Sequence, residues 1–257
     1  MAISIDTVYQ KVLALANKEQ RGYITPQEFN LFADQAQKEI FEQYFYDVNQ
    51  FGRTFGNSHV YSDMLDNLED KISYFKRPDQ NVTTRLDEHG DIYFENNIVY
   101  RIGLVRVMDR AGKQSYIAEE IKMEDYYLYK DSPLTKPSKK RPMYWKQETN
   151  INSRGGDGIR IKVFPPPRVS EPRDVLVDGK VWISYIKHPT KPNWGYVVVN
   201  DKPLYNSNSS INFELHPAEE SELVYRILAF AGIAIEKPQL TQVAATLEQV
   251  KVQQEKQ

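Results

Sequence analysis

The 257-residue chain contains no cysteine, which excludes a disulfide framework, a thiolate zinc site, an iron–sulfur cluster and a cysteine nucleophile. It has almost no net charge: 33 basic and 35 acidic side chains give −2, so no whole-molecule field favours nucleic acid or anionic lipid. No apolar run reaches the roughly 18–20 residues that a membrane span requires. The first residues lack a basic segment followed by an apolar one, so we expect no secretory signal and a soluble protein.

Catalytic signatures are also scarce. The four histidines are scattered without HxxxH spacing, and there is no GxSxG nucleophile elbow. Residues 154–158 are rich in glycine but lack the spacing of a phosphate-binding loop, and a hairpin turn explains them. Glycosidases use a pair of carboxylates, but a chain with 35 acidic side chains contains many possible pairs, so such a pair is no evidence for a glycosidase. We therefore expect no enzyme activity, no metal and no cofactor.

Residues 17–28 have a partial likeness to a twelve-residue calcium loop, with Glu28 at the last position. Arg21 puts a cation at the fifth position, where the loop needs an oxygen ligand. A glycine turn followed by a helix explains the same residues, because Thr25 can cap that helix, Pro26 suits its first position and Glu28 completes a capping box. The capped helix is the favoured interpretation.

Charge and hydrophobic pattern divide the chain into three zones, 1–80, 81–213 and 214–257, with net charges of −4, +5 and −3. The first zone has apolar residues at helical spacing and predicts a helical bundle with helices over 4–16, 25–48 and 61–75. The second zone predicts an antiparallel sheet or small sandwich with one short helix over 123–129. Its predicted strands cover 82–86, 91–94, 98–108, 115–121, 143–145, 159–164 and 181–186.

The third zone predicts a short strand over 211–215, a helix over 217–235 that is buried all round, and a final helix from residue 239. Together the zones predict an α+β protein: an N-terminal helical bundle, an inserted antiparallel β domain, and C-terminal helices that complete the bundle. The final helix has apolar residues at 3–4–3 spacing, typical of the narrow seam of a coiled coil. They are Leu240, Val243, Leu247 and Val250. We expect this seam to bind another subunit or a partner; the alternative is a frayed tail lying on its own domain.

A basic loop is a second candidate contact. Lys136, Lys139, Lys140 and Arg141 lie among prolines, so the loop is predicted to be exposed. It could contact phosphates or an acidic protein surface, and the alternative is a loop that contacts only water.

Aromatic residues of the middle zone suggest a different function. Trp145 and Trp182 fall within strand patterns and are predicted to be core, whereas Trp194, between Pro192 and Gly195, is predicted to be exposed. An exposed tryptophan beside many tyrosines could stack on sugars, which gives a carbohydrate-binding β module as the alternative function. A glycan- or peptidoglycan-cleaving enzyme has only the abundance of acids in its favour.

The two ends of the chain carry a resemblance. The opening SIDTVYQKVLALANKEQRGYITPQEFNLFADQAQKEIFEQYF and the ending INFELHPAEESELVYRILAFAGIAIEKPQLTQVAATLEQ resemble tailed-bacteriophage virion proteins encoded near the portal. Such proteins are common in podophages related to the crAss-like group, where they look like head-to-tail connector or tail-barrel ring proteins. The resemblance covers residues 3–50 and 211–250 and leaves the middle zone unmatched.

The resemblance implies a structural protein of the phage neck or tail, made in the host cytoplasm. It implies a ring, often of about twelve copies, that lies below the portal and surrounds the DNA path. The implied partners are identical subunits, the portal protein and neighbouring tail rings, and DNA would pass through without specific binding. The family supplies no catalytic residues.

Overall fold

The structure is a computed structural model, and it describes residues 3–18, 24–53, 59–82, 91–95, 98–108, 114–151, 156–166, 169–170, 175–176, 180–234 and 246. The chain forms two compact units. Unit 1 comprises Met1–Tyr74 and Pro189–Gln257, and unit 2 comprises Phe75–His188. Unit 1 holds most of the helix and unit 2 most of the sheet, so the predicted α+β class is confirmed.

The described helices are α1 (Ile5–Lys18), α2 (Pro26–Arg53), α3 (His59–Ser73), α4 (Met123–Lys130) and α5 (Glu220–Ala234). The first part of unit 2 contributes strands β1 (Lys76–Asn81), β2 (Asp91–Glu95), β3 (Val99–Met108), β4 (Ser115–Ile117) and β5 (Glu119–Glu120). After α4 come β6 (Met143–Ile151), β7 (Gly156–Phe164), β8 (Val169–Ser170), β9 (Val175–Leu176) and β10 (Lys180–Lys187). A hairpin of β11 (Tyr196–Val199) and β12 (Lys202–Tyr205) belongs to unit 1.

The core of unit 1 lies between its helices. α2 contacts α3 and α5, and α1 contacts α5. Most of the apolar residues at helical spacing in α2 are buried, including Phe29, Ala33 and Ile40. Leu223 and Ile227 of α5 are fully buried as well. Helical periodicity therefore identified the correct face of the long helix.

A capping box fixes the start of α2, as the sequence predicts. The Thr25 backbone N–H donates to Glu28 Oε2 (2.9 Å) and the Glu28 N–H donates to Thr25 Oγ1 (3.3 Å). The Thr25 hydroxyl also donates to Glu28 Oε2 (2.7 Å). Hydrogen bonds from this hydroxyl and then from the backbone N–H hold the pKa of Glu28 below its ordinary value of 4.5.

Replacing Thr25 with alanine is expected to lower the free energy of unfolding by about 1 kcal/mol at neutral pH, the usual cost of losing an N-cap side chain. A carboxylate with a lowered pKa stabilises the fold above its ordinary pKa, and this stabilisation is lost as the pH falls through the lowered value. The difference between wild type and Thr25→Ala should therefore shrink on acidification. Urea unfolding at neutral and acidic pH measures it, with the exposed neighbour Gln27→Ala as the control. A difference that stays constant with pH would contradict the role of Glu28.

The acidic residues before and within α5 form ion pairs. Glu219 Oε1 lies 2.6 Å from Lys71 Nζ of α3, and the Glu219 side chain is 1% exposed. Glu220 Oε1 lies 2.7 Å from Lys11 Nζ of α1, at a more exposed position. These two pairs link the start of α5 to two other helices.

A second ion-pair network lies further along α5, around the buried Arg226. Its guanidinium is 2.7 Å from Glu222 Oε1, one turn earlier on the same helix, and 3.4 Å from Glu39 Oε2 of α2. It also donates to the side chain of Gln43. The helix predicted to be buried all round therefore buries charge as well as apolar side chains, and each buried charge has a partner.

Unit 2 is built from two four-stranded sheets, one in the order β1-β10-β3-β4 and the other in the order β2-β7-β6-β5. A common apolar core joins them, with Val105 and Ile183 from the first sheet and Ile92 and Ile161 from the second. The predicted antiparallel pattern holds for these sheets except at one short parallel pair, β5 with β6.

The segment predicted as one strand over 115–121 is divided between the two sheets. β4 pairs with β3 in the first sheet and β5 pairs with β6 in the second. Between them Ala118 is buried, and its N–H donates to Val105 O (2.8 Å). One continuous segment therefore belongs to both sheets.

Unit 2 begins with a strand, β1, that the sequence did not predict. Of the strand predicted over 82–86, only Val82 is described, directly after β1, and residues 83–86 lie outside the described residues. Lys76–Asn81 reads KRPDQN and has no apolar alternation, because it is an exposed edge strand that pairs only with β10 among the described strands. The register shifts between Arg77 and Gln80, where Asp79 has a φ of 45°.

The boundaries of the units also differ from the three predicted zones. The β-rich zone was placed at 81–213, whereas unit 2 ends at His188. Residues 189–213 belong to unit 1 because they bond to its helices: Gln37 Nε2 donates to Thr190 O (2.8 Å) and Trp194 Nε1 donates to Asp6 Oδ1 (3.0 Å). The strand predicted over 211–215 is replaced by two isolated bridges, Ile211 with Asn193 and Phe213 with Ile3.

Candidate interaction surfaces

No group of three or more metal-ligating side chains converges among the residues that the structure describes. The calcium alternative at residues 17–28 gains no support, since Glu28 is bound to Thr25 and residues 19–23 lie outside the described part of the chain. Asp91 is a buried carboxylate that the sequence did not single out. It pairs with Arg160 and with Lys162, whose Nζ lies 3.5 Å from Asp91 Oδ1. Asp91 and Lys162 are register partners on β2 and β7, so these pairs fasten one strand to the next.

Trp194 is buried, contrary to the prediction that it is exposed. It is 2% exposed, and its ring centroid lies 4.3 Å from that of Tyr9. Its backbone is fixed from both sides by Asn30: the Trp194 N–H donates to Asn30 Oδ1 (2.7 Å), and Asn30 Nδ2 donates to Trp194 O (3.3 Å). A sugar therefore cannot stack on this ring, and the carbohydrate-binding alternative loses the residue on which it depended.

Trp194 instead holds the base of a hairpin. Its ring centroid lies 5.8 Å from that of Tyr196 and 5.9 Å from that of Tyr205, the first and last residues of the hairpin. Gly195 is required between them, because a Cβ there would lie 2.1 Å from Ser209 Oγ and 2.8 Å from the Ser209 carbonyl carbon. The turn at Asn200 and Asp201 has φ values of 49° and 60°, as in the type I′ turns that suit two-residue hairpins.

The hairpin presents apolar side chains to solvent, and we refer to these residues as the hairpin surface: Val197, Val198, Val199 and Leu204. Each of them is about half exposed, and Val198 reaches 60%. β11 and β12 pair only with each other among the described strands. An isolated two-stranded ribbon is marginally stable in water, and exposed apolar edges favour association. Sequence reasoning missed this hairpin, although Asn and Asp are among the residues that tolerate the positive φ values of a type I′ turn.

The predicted basic loop is exposed, and Lys136, Lys139 and Lys140 are at its surface. Arg141 has a different role. Its Nη2 lies 3.0 Å from Glu119 Oε2, and its backbone exchanges two hydrogen bonds with Ser138 (3.0 and 3.1 Å). Arg141 therefore anchors the loop, and the three lysines are the residues that the loop presents.

Glu120, beside Glu119 on β5, binds two side chains of β6. Lys146 Nζ lies 2.9 Å from Glu120 Oε1, and this contact holds the pKa of Glu120 below its ordinary value. The Tyr144 hydroxyl donates to Glu120 Oε2 (3.1 Å). Burial, with the Glu120 charge as a second cause, raises the pKa of Tyr144 well above its ordinary value, so this phenol stays a proton donor.

Helix α4 precedes the basic loop and buries none of its residues. Its attachment includes Tyr126, whose ring stacks on Phe164 with centroids 4.0 Å apart. Large apolar side chains of the helix and loop are left exposed, and with the three loop lysines they make what we refer to as the α4 surface. These side chains are Met123, Tyr127, Leu128 and Leu134, with Leu128 76% and Leu134 91% exposed.

The predicted partner-binding seam, Leu240, Val243, Leu247 and Val250, lies outside the described residues. It stays a prediction.

Neither models of known protein families nor curated protein sequences match this chain. Every helix in the described part of the chain is too short or too polar to cross a bilayer. Function is therefore inferred from the exposed surfaces, from the distribution of charge and from the sequences of the two ends.

Charge is strongly divided between the units. Unit 1 has 12 basic and 19 acidic residues, a net charge of −7, and unit 2 has 21 basic and 16 acidic residues, a net charge of +5. The small total charge therefore conceals two units of opposite sign. Complementary fields of this kind steer association between proteins.

Proposed function

We propose that this protein is a structural component of a phage virion that assembles into a ring in the head-to-tail connector or tail barrel, around the DNA path. The observation that carries the proposal is the hairpin surface. It places exposed valine and leucine on a two-stranded ribbon whose base is fixed by the buried Trp194. Large exposed apolar groups on a firmly held element are typical of a protein interface.

The sequences of the two ends support the same proposal. Residues 3–50 and 211–250 resemble phage connector proteins, and both segments belong to unit 1, which also holds the hairpin. A ring subunit contacts its two neighbours through different surfaces, since a heterologous interface closes into a ring. The chain exposes more than one candidate surface for such contacts, since the hairpin surface belongs to unit 1 and the α4 surface to unit 2.

The proposed role needs no catalysis. The chain would contribute shape and contacts, with the portal protein and adjacent tail rings as partners above and below. A net charge of −2 also suits a channel wall that lets DNA pass without holding it.

The test is the mass of the assembled protein by light scattering, alone and after co-expression with the cognate portal protein. We expect a closed ring, or a complex with the portal, of defined stoichiometry. Serine at Leu240, Val243, Leu247 and Val250 should abolish the portal complex if the predicted seam is the contact. Serine at Gln242 and Gln249, in the same segment, is the matched control and should leave it intact.

A chain that stays monomeric with the portal, and is indifferent to both sets of changes, would overturn the ring proposal. A purified virion that lacks the chain would overturn it as well.

A further inference from the structure

The α4 surface combines two kinds of side chain that rarely share an exposed helix and loop. Residues 121–142 carry six basic and three acidic side chains, and the apolar Leu128 and Leu134 stand among them, largely exposed. None of the residues of α4 is fully buried, so the helix contributes little to the core of unit 2. Its exposed residues are available for a partner.

The chemistry of the α4 surface favours a protein partner over nucleic acid. Phosphates would satisfy Lys136 and Lys140, but a polyphosphate backbone offers nothing apolar to cover Leu128 and Leu134. A partner that buries these side chains is stabilised by the removal of their apolar surface from water. The matching surface must therefore be acidic and partly apolar.

Unit 1 of the same protein has such a surface on α3. Asp66, Glu69 and Asp70 are exposed there, and residues 63–70 contain four acidic side chains and no basic one. Asp66 and Asp70 are four residues apart, so they lie on one face of the helix, about 6 Å apart along its axis. Tyr74, directly after the helix, adds an exposed aromatic ring.

We propose that the α4 surface of one copy binds the α3 acidic face of a second copy. The two surfaces are different and belong to units of opposite net charge, so the contact is head-to-tail. When two copies bind in this way, one copy still has a free α4 surface and the other still has a free α3 acidic face. Addition of further copies repeats the contact until the chain of subunits closes. This inference rests on the proposed ring function and names the interface that would build the ring.

The absence of cysteine makes the contact directly testable. Leu134→Cys places a single thiol within the α4 surface, and Asn67→Cys places one between the carboxylates of the α3 acidic face. Both positions are exposed, both changes leave the charges in place, and cysteine keeps a small apolar side chain at position 134. A short bis-maleimide added to a mixture of the two variants should link Leu134→Cys to Asn67→Cys. We expect about tenfold more of this heterodimer than from Lys180→Cys mixed with Asn67→Cys, the control with an exposed thiol elsewhere on unit 2.

Charge reversal then tests which side chains make the contact. Adding Lys136→Glu and Lys140→Glu to the Leu134→Cys variant should remove the cross-link, and Asp66→Lys with Asp70→Lys on the Asn67→Cys partner should restore it. Lys180→Glu with Lys191→Glu makes the same change of charge at exposed positions elsewhere and should have no effect. The cross-link should also weaken with added salt, because the charges are exposed.

Several results would overturn the inference. These are equal cross-linking by Lys180→Cys, linkage of Leu134→Cys to itself in preference to Asn67→Cys, and failure of the opposite charge reversal to restore the product. Reversals that leave the cross-link intact but abolish binding to duplex DNA would assign the α4 surface to nucleic acid. If wild type forms rings with the portal but the Leu134→Cys and Asn67→Cys variants give no cross-link, only this interface is wrong; if wild type forms no ring at all, the proposed function fails.

Discussion

Replacing Lys71 with methionine is expected to lower the free energy of unfolding by about 3–5 kcal/mol, because it takes the ammonium away from a buried carboxylate. Lys71 Nζ lies 2.6 Å from Glu219 Oε1, and the two side chains are 16% and 1% exposed. Lys71 Nζ also lies 5.8 Å from the centre of the Tyr44 ring. Methionine keeps the length and apolar stem of lysine, so the loss reports the charge.

Urea unfolding followed by circular dichroism measures this loss. The matched control is Lys38→Met, which removes a lysine that lies 2.8 Å from Asp34 but is 56% exposed. We expect a change of only about 0.3–0.5 kcal/mol there, as for other exposed pairs one helical turn apart. Combining Lys71→Met with Glu219→Gln should recover part of the lost stability. An equal effect of Lys71→Met and Lys38→Met would mean that burial does not strengthen the Glu219 pair.

Replacing Trp194 with alanine should also cost about 3–5 kcal/mol, the usual range for removing a large aromatic side chain from a core. The ring touches Tyr9 of α1 and the two tyrosines that end the hairpin, Tyr196 and Tyr205. Its loss should loosen the base of the hairpin and the contact with α1 together. Hydrogen exchange should therefore show less protection of the amides in both α1 and β11.

Trp194→Phe measures the contribution of the indole hydrogen bond separately from that of the aromatic ring. Phenylalanine keeps an aromatic ring but cannot donate to Asp6 Oδ1, a bond of 3.0 Å in the structure, so about 1 kcal/mol of the loss should remain. Tyr205→Ala, at the exposed end of the same aromatic group, should cost less than Trp194→Ala. The central role of Trp194 would be contradicted if Trp194→Ala unfolded at the same urea concentration as wild type.

Elements specified by neighbouring residues were predictable from the sequence. The start of α2 needs only Thr25, Pro26 and Glu28, which lie within four residues, and the structure shows the capping box that their order predicts. The strands with clear apolar alternation, such as β3 and β10, were located to within one or two residues at each end. Local spacing decides these elements because the bonds and faces involved are local.

Features that depend on distant residues were not predictable in the same way. Trp194 lies between Pro192 and Gly195 and has the local pattern of an exposed loop, but Asp6, 188 residues earlier in the chain, accepts its indole N–H. The ion pair of Lys71 and Glu219 likewise joins residues that no local pattern relates. Periodicity indicates which face of a helix or strand is apolar. It does not indicate which residue from a distant part of the sequence contacts that face.

The candidate surfaces were likewise predictable only where they depend on local composition. The basic loop was recognised from its composition, and its lysines are exposed as predicted. That Arg141 anchors the loop to Glu119 could not be read from composition. The apolar exposure of α4 was also missed, because a short helix of mixed pattern gives no indication of whether anything covers it.

The insertion of unit 2 within unit 1 has a consequence for the order in which the protein becomes complete during synthesis. Unit 2 is continuous, and its two ends are neighbours, since the Lys187 N–H donates to Phe75 O (2.9 Å). All of it leaves the ribosome before Trp194 and α5, which the N-terminal helices need for their core. The N-terminal helices of a nascent chain therefore lack part of their core until residues 194–234 have been made, whereas all of unit 2 has been made before then. A translation product that stops before Trp194 would contain all of unit 2 but only the N-terminal helices of unit 1. Those helices would lack their core partners, so quality-control proteases would cleave them before unit 2.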